Sequence, residues 1–308
     1  SNNYQGAGII FLNISDTLTV DGSISANSSS GSNTHGAAGS IYLISNSIIG
    51  SGNISANSGA STNGYSSSSA GRIAIYYTTN SFTGFISATP GKATVNYRHG
   101  SAGTIYLKDV INDYSNLTIW GNDLSVKKTY LNESIFDEST LNNLNIYGNA
   151  SLDIDMNLSV LSDKLYVESG SVLNQTGMFA MNNISNLTIA GTLILSNYSF
   201  NKSMNVHMYG DSTLTTHKNN NSKDYLINIS AVNFTIEKNA ILEVLDKGYA
   251  RFEGPGYMGN NNYYGAQYAG YGGDTQQNTD KIYGSVTKPM DLGSGSNNYQ
   301  GAGIIFLN

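Results

Sequence analysis

Cysteine is absent from the chain, which removes disulfides, thiolate nucleophiles and thiolate metal sites together. Charged residues make up only 12% of it, about half the usual globular share. Proline occurs three times, and the helix-favouring set of Ala, Leu, Glu and Lys is thin. No apolar run approaches the ~20 residues that a membrane-spanning helix needs. The net charge of −6 comes without a basic stripe, which argues against a nucleic-acid partner. No signal peptide is visible, as expected of a segment taken from the middle of a longer protein.

What remains is polar, uncharged and rich in turn formers. Gly numbers 34, Tyr 22 and Asn 40, with Ser and Thr together 64. An apolar fraction of 39% still suffices for a core, so the chain is not simply disordered. This mixture predicts sheets and turns. Without disulfides, a secreted protein of this kind draws its stability from backbone pairing and burial.

Residues 1–13 read SNNYQGAGIIFLN, and residues 296–308 read the same. The offset, 296 − 1 = 295 residues, is taken as one period of a tandem array, with the start of the next period at the C-terminal end. Near-identical neighbouring modules suit a polymer better than a catalyst.

Shorter periods lie inside that long one. Gly8-Ile-Ile-Phe-Leu, Gly39-Ser-Ile-Tyr-Leu, Gly71-Arg-Ile-Ala-Ile and Gly103-Thr-Ile-Tyr-Leu follow one another at steps of 31, 32 and 32. Each precedes a second short alternating segment, centred on Ile24, Ile54, Ile86 and Leu117, with Ser/Gly/Asn loops between. From about Asn116 to Val244 the pattern tightens to L-x-I-x-G. Its members are Leu117/Ile119/Gly121, Leu144/Ile146/Gly148, Leu165/Val167/Gly170, Leu187/Ile189/Gly191, Val206/Met208/Gly210 and Phe234/Ile236/Asn239. Alternating apolar positions at a steady step predict short parallel strands stacked coil upon coil, each coil burying its inner face on the next. The corner Gly or Asn supplies φ > 0. The expected fold class is therefore all-β, a parallel β-helix or β-solenoid, in preference to a sandwich of hairpins.

The expected organisation has four parts: Gly/Ser-rich coils of ~32-residue period over 1–128, tighter sequon-rich coils over 129–247, a Gly/Tyr-rich loop or inter-module segment over 248–295, and the start of the next repeat over 296–308. Residues 248–308 carry 13 Gly and 8 Tyr. A pure linker has no need of so many tyrosines, so a loop packed on the coils or on a neighbouring chain is favoured over a hinge. Leu131–Asn143 reads as a short helix or an irregular loop.

Fifteen N-x-[ST] sequons occur, at Asn13, Asn27, Asn53, Asn116, Asn132, Asn149, Asn157, Asn174, Asn183, Asn186, Asn197, Asn201, Asn220, Asn228 and Asn233. Composition alone predicts 40 × 64/308, near 8. In Asn13-Ile14-Ser15 and Asn116-Leu117-Thr118 the middle residue is apolar, so strand alternation turns it inward and the Asn outward. Covalent N-glycans are expected there, with Asn116, Asn149, Asn186 and Asn233 among the occupied sites.

Catalytic chemistry is missing from the pattern. His35, His99, His207 and His217 have no metal-ligand spacing and read as surface or loop residues. Asp153 and Asp155 share a strand face, an arrangement that serves a cation or acid/base work but reads better as two solvated acids. Gly6/Gly8 and Gly301/Gly303 precede strands, so neither pair is a dinucleotide fingerprint. No catalytic, metal or cofactor residues are assigned.

The order Gly39–Leu43, Gly50–Asn57, then Ala70–Tyr77 after a Ser/Gly loop resembles the Gly-rich repeats of giant bacterial and archaeal surface proteins with pectate-lyase-like right-handed parallel β-helices. Tyr283–Ser296 is similar to the joining segment of such repeats. The likeness covers roughly residues 1–107 and 250–308; here Ser and Asn replace many of the family's glycines. It implies an extracellular or cell-surface location and a structural or adhesive role, with no catalytic residues to carry over. The function expected is thus a structural segment of an extracellular glycosylated filament or stalk. Its partners would be neighbouring identical modules or subunits, together with surface glycans. An adhesin or carbohydrate-binding solenoid is the alternative, and a polysaccharide lyase or hydrolase the more remote one, given three widely spaced Arg residues.

Overall fold

The computed structural model describes residues 5–32, 36–63, 65–95, 98–124, 126–161, 165–181, 185–200, 204–259, 265–269, 271–272 and 279–307, the last four of 185–200 by backbone alone. It is nearly all β, with long parallel sheets. No α-helix occurs among the described residues, hence none long and apolar enough to cross a membrane.

The largest sheet has ten strands. In spatial order they are β1 (Ile9–Thr19), β3 (Ser40–Gly50), β5 (Arg72–Phe82), β7 (Thr104–Asp109), β8 (Tyr114–Trp120), β11 (Asn143–Tyr147), β14 (Leu165–Val167), β16 (Asn186–Ile189), β18 (Asn205–Met208) and β21 (Asn233–Ile236). The repeats set the register. Ile10, Ile41, Ile73 and Ile105 lie abreast on β1, β3, β5 and β7. Leu117, Leu144 and Leu165 do so on β8, β11 and β14, and Leu187, Val206 and Phe234 on β16, β18 and β21. Every L-x-I-x-G strand takes its expected place in one ladder.

An eight-stranded sheet forms from the segments that follow. It holds β10 (Thr140–Leu141), β13 (Leu158–Val160), β15 (Val172–Met181), β17 (Thr192–Phe200), β19 (Thr213–Thr216) and β22 (Ile241–Leu242), with β12 (Ser151–Asp155) and β9 (Thr129–Asn132) joining at β15. A three-stranded sheet, β2 (Ser23–Ser25), β4 (Asn53–Ser55) and β6 (Phe85–Ser87), aligns Ile24, Ile54 and Ile86. The Ser/Gly loops are laddered too: Ser28 N–H donates to Asn57 O, Ser58 N–H to Thr89 O, and Ser67 N–H to Arg98 O. Glycine at the head of each repeat permits this approach. A Cβ on Gly71 would sit 1.8 Å from Gly39 O, far inside contact distance.

Two expectations are corrected. Leu117 does not continue the Ile24/Ile54/Ile86 series, because its strand β8 belongs to the ten-stranded sheet and runs antiparallel to β7. The cause is local. Asp109 Oδ1 accepts from the Ile111 and Asn112 N–H groups, each at 3.0 Å. Asp113 takes φ +51° and pairs with Lys108 at 2.5 Å. Short polar side chains that bond their own backbone and tolerate the left-handed region close a tight turn. The chain therefore folds back where earlier repeats ran on. The corner glycines are the second correction. Gly148, Gly170 and Asn239 take positive φ, whereas Gly121, Gly191 and Gly210 do not. At Gly121 the reason for glycine is contact, since a Cβ would stand 2.3 Å from Gly148 O.

The reversal also exchanges the buried face. Tyr106 on β7 stands opposite Leu117 on β8, and Ile105 opposite Thr118; directly paired residues share a face. Ile41, Leu43, Ile73, Ile75 and Ile105 build one core with Ile54, Ala56 and Ala88. Tyr106, Leu117, Ile119, Leu144 and Ile146 build a second with Leu152, Leu173, Phe179, Leu193 and Leu214. Thus one continuous sheet separates two cores, and β7 is buried on both faces.

Leu131–Asn143 is largely an irregular loop between two short strands: Leu131 and Leu141 lie in β9 and β10, fully buried, while 133–135 form a turn and 136–139 are irregular. Phe136 packs edge-on to Tyr106 at 5.7 Å. The described part of 248–307 is irregular but packed. Gly248 and Tyr249 N–H groups donate to Gly301 and Gly293 carbonyls, Leu292 is fully buried, and Tyr268 meets Tyr283 edge-on at 4.7 Å. Within this segment β23 (Ile305–Leu307) pairs parallel with β20 (Ile227–Ile229).

Candidate functional surface

The sequon asparagines fall on the outside. Asn13, Asn27, Asn53, Asn157, Asn186, Asn220, Asn228 and Asn233 are exposed, and Asn116, Asn132, Asn149 and Asn174 are half-buried. Their apolar neighbours point the other way: Ile54, Leu117, Leu158, Leu187 and Ile229 are at most 2% exposed, and Phe234 packs on the second core. Asn183 and Asn201 lie outside the described residues, and of Asn197 only the backbone is described.

Alternation explains the strand members, but Asn149 has a different origin. It occupies a corner at φ +59°, and its exposure follows from the bend. Asn174 differs in its neighbour, because the middle residue Gln175 is polar yet fully buried. The Gln175 carboxamide donates to Met156 O at 2.5 Å.

Parallel register stacks several of these asparagines into outward ladders. Asn233 Nδ2 donates to Asn205 Oδ1 at 2.8 Å, and Asn205 Nδ2 donates to Asn186 Oδ1 at 3.1 Å. Asn145 Nδ2 donates to Asn116 Oδ1 at 2.9 Å. In the loops of the first core, Asn27 Oδ1 accepts from Asn57 N–H at 2.6 Å, and Asn57 Oδ1 accepts from Thr89 N–H at 2.8 Å. The sequence offered asparagine at repeated positions; this mutual bonding along the stack went unread because it depends on register.

A second row is aromatic. On the outer face of the first core, Phe11 stacks on Tyr42 at 5.2 Å, Tyr42 meets Tyr76 at 5.5 Å, and Tyr76 meets Tyr106 at 5.8 Å. The row runs into the second core at Tyr106, whose hydroxyl donates to Glu138 at 2.8 Å. Burial first, then the Glu138 carboxylate, pushes this phenol well above its ordinary value. Lys108 lies 3.5 Å from the same carboxylate.

The candidate polar chemistry is internally satisfied. Asp153 pairs with Lys128 at 2.9 Å and accepts from Asn174 at 3.1 Å. Asp155 accepts from Thr176 at 2.7 Å and Tyr130 at 3.0 Å, bonds that hold its carboxyl below the usual range. The two acids share the outer face as expected, each with its own partners. His207 binds Glu237 at 2.7 Å and stacks on Tyr209. His99 is a buried loop residue whose Nδ1 accepts from Ala93 N–H at 2.9 Å. His217 reaches Gln175 O at 3.2 Å, and His35 lies outside the described residues. A cleft of about 800 Å³ is lined by Lys92, His99, Asp123, Lys127, Lys128 and Asn149 among others. Among the described residues no three His, Cys, Asp or Glu side chains gather into a metal site.

No family model matches the chain, and neither the curated proteins nor the solved structures include a match to it.

Proposed function

We propose that the chain is one module of a parallel β-solenoid that builds an extracellular, N-glycosylated filament or cell-surface stalk, and that it is not an enzyme. The observation that carries this reading is the repeat within a repeat. Strands at steps of 31, 32 and 32 lie abreast in one sheet, and a 13-residue motif returns at 295. A stack of coils buries each inner face only on its neighbours, so the architecture grows along one axis. Ten strands at ~4.8 Å spacing give roughly 50 Å per module.

The hairpin at Asp109–Tyr114 is compatible with a single winding sense. Reversal of strand direction alone would invert the hand of the coil. Exchange of the buried face alone would do the same. Both occur together, so the hand is kept while the axis steps sideways.

Glycans are proposed on the outward asparagines. N-glycosylation replaces one of two amide hydrogens on Nδ2, which leaves Asn233 a hydrogen for Asn205. A sugar-coated outer face would also block lateral pairing of sheets. Electron microscopy of chains with several repeats should show uniform rods whose length grows by one step per repeat, and glycopeptide mass spectrometry of the native material should find sugar on Asn116, Asn186 or Asn233. Compact particles of constant width and length would rule the reading out.

A further inference from the structure

The repeated motif is seen in two surroundings. At the N-terminal side it forms the head of β1, the edge of the ten-stranded sheet, and its partner is β3. At the C-terminal side it forms β23, and its partner is β20. The same side chain fares differently in the two places. Ile9 is 80% exposed, and its counterpart Ile304 is 5% exposed. Phe11 is 56% exposed against Tyr42, whereas the ring of Phe306 is half-buried with Lys223 Nζ 5.5 Å from its centroid.

The backbone places the two partners on opposite edges of the motif. Ser40 N–H donates to Gly8 O, so in a parallel ladder Gly8, Ile10 and Leu12 turn their polar groups toward β3. Ile227 N–H donates to Ile304 O, so Ile304 and Phe306, the counterparts of Ile9 and Phe11, turn theirs toward β20. The motif thus pairs through opposite edges in its two copies, and one strand can hold both partners at once. One inward pair agrees as well: Ile10 packs on the first core and its counterpart Ile305 on the second, while Leu12 packs on the first core and its counterpart Leu307, at the end of β23, is 49% exposed. Because β1 and β2 each have a neighbour on one edge only among the described residues, Ile10, Leu12 and Leu18 of β1 and Ile24 of β2 are only partly covered.

We infer that the free edge of β1 is the docking site for the Ile227–Ile229 strand of a second copy of this repeat; within one copy that strand is held by its own β23, so it docks where two successive repeats share one motif strand or where β23 is displaced. The register follows from the pairing already present. Subtracting 295 from 305, 306 and 307 gives Ile10 opposite Ile227, Phe11 opposite Asn228 and Leu12 opposite Ile229. The joint covers Ile9 as Ile304 is covered, and places the Phe11 ring between Tyr42 of its own module and Lys223 of the other. It is a head-to-tail contact, so it propagates rather than closes. It deepens the filament reading by naming the joint between modules.

The test uses the full chain. Phe306→Pro removes the N–H that faces Ile227 O and should release β20 for another copy's β1. Sedimentation velocity should then show species growing past two copies as concentration rises, while the unaltered chain stays single. Adding Phe11→Pro removes only an N–H on the free edge, where proline is tolerated, and should abolish the growth. A single-copy Phe306→Pro chain with native circular dichroism would overturn the joint. Growth that persists in the double variant, or that stops at two copies through β1–β1 pairing, would overturn it too. If Phe306→Pro does not fold, hydrogen exchange on an unaltered two-repeat chain decides. The Ile305 and Phe306 amides at its junction should both be protected, whereas in the one-repeat chain Ile305 and Phe11 exchange fast. A fast amide of either kind at the junction refutes the joint. Rods with an unprotected junction would leave the filament standing without it, and protection within compact particles would do the reverse.

Discussion

The two sides of the β7–β8 hairpin solve the same stacking problem with different materials. Before it, the core is built mainly from Ile and Ala, from Val20 to Ile105. Successive repeats there approach so closely that Gly39, Gly71 and Gly103 have no room for a Cβ, and the Ser/Gly loops bond to one another by backbone. After it, the core holds Leu at a dozen positions, together with Met156, Met181, Met204, Met208 and Phe179. Glycine is sparse there and the loops are short. Backbone proximity carries the first region, and side-chain volume carries the second. A long chain with few charges can therefore reach a continuous stack by either route, at repeat lengths that differ by several residues.

This contrast can be broken from either side. The largest effect is expected at Phe179→Ala, which empties a fully buried position of the second core and should lower stability by about 3–5 kcal/mol in urea unfolding. A loss below about 1 kcal/mol would mean that the second core does not depend on volume. Next comes Gly71→Ala, where the added methyl meets Gly39 O. Overpacking of this kind should cost about 1–3 kcal/mol, and amides of the Gly39 and Gly103 repeats should lose protection before those beyond Tyr114. If the same substitution at Gly177 in the second region proves equally local and equally costly, close approach is not special to the first.

Smaller effects sharpen the comparison. Asn57→Ala removes the acceptor of Thr89 N–H and Oγ1 and should cost about 1 kcal/mol. Unfolding of the first region ahead of the second is the expected pattern. The smallest effect concerns pH. Burial, joined by Lys92, holds the His99 pKa below its ordinary value, and burial does the same for His217. The unfolded chain then binds protons near pH 6.5 that the folded chain refuses. Stability should fall as pH drops below about 6.5 and level off beneath the folded-state values. His99→Asn should flatten that slope for the first region, and His217→Gln for the second; an unchanged slope in both variants would remove histidine from the account.

Much of the outer surface was legible in advance, and for one reason. Alternation fixes that Leu117, Leu187 and Phe234 face opposite to Asn116, Asn186 and Asn233, whichever strands pair with them. Asn149 was placed outside by a bend, which only its positive φ reveals. Hydrogen bonds along the asparagine ladders stayed hidden because they join residues about 20 to 30 positions apart, such as Asn205 to Asn186 and Asn233 to Asn205, and need an exact register. Burial of Gln175 has no sequence signal: it holds a place that alternation gives to an apolar side chain, and one of its carboxamide atoms stays unpartnered.

The sequence by itself determined the ten strands of the largest sheet, their step, and the apolar rows Ile10/Ile41/Ile73/Ile105, Leu117/Leu144/Leu165 and Leu187/Val206/Phe234, because a period-2 pattern recurring at fixed distance brings the apolar side chains together in one register. Only the tertiary structure decided the direction in which β8 is laid against β7. Parallel and antiparallel pairs present the same alternation, and β7 carries apolar groups on both faces, Ile105 on one and Tyr106 on the other. A four-residue turn closed by Asp109 and Asp113 chose between them, and with it chose on which side of the sheet all later residues would bury their core.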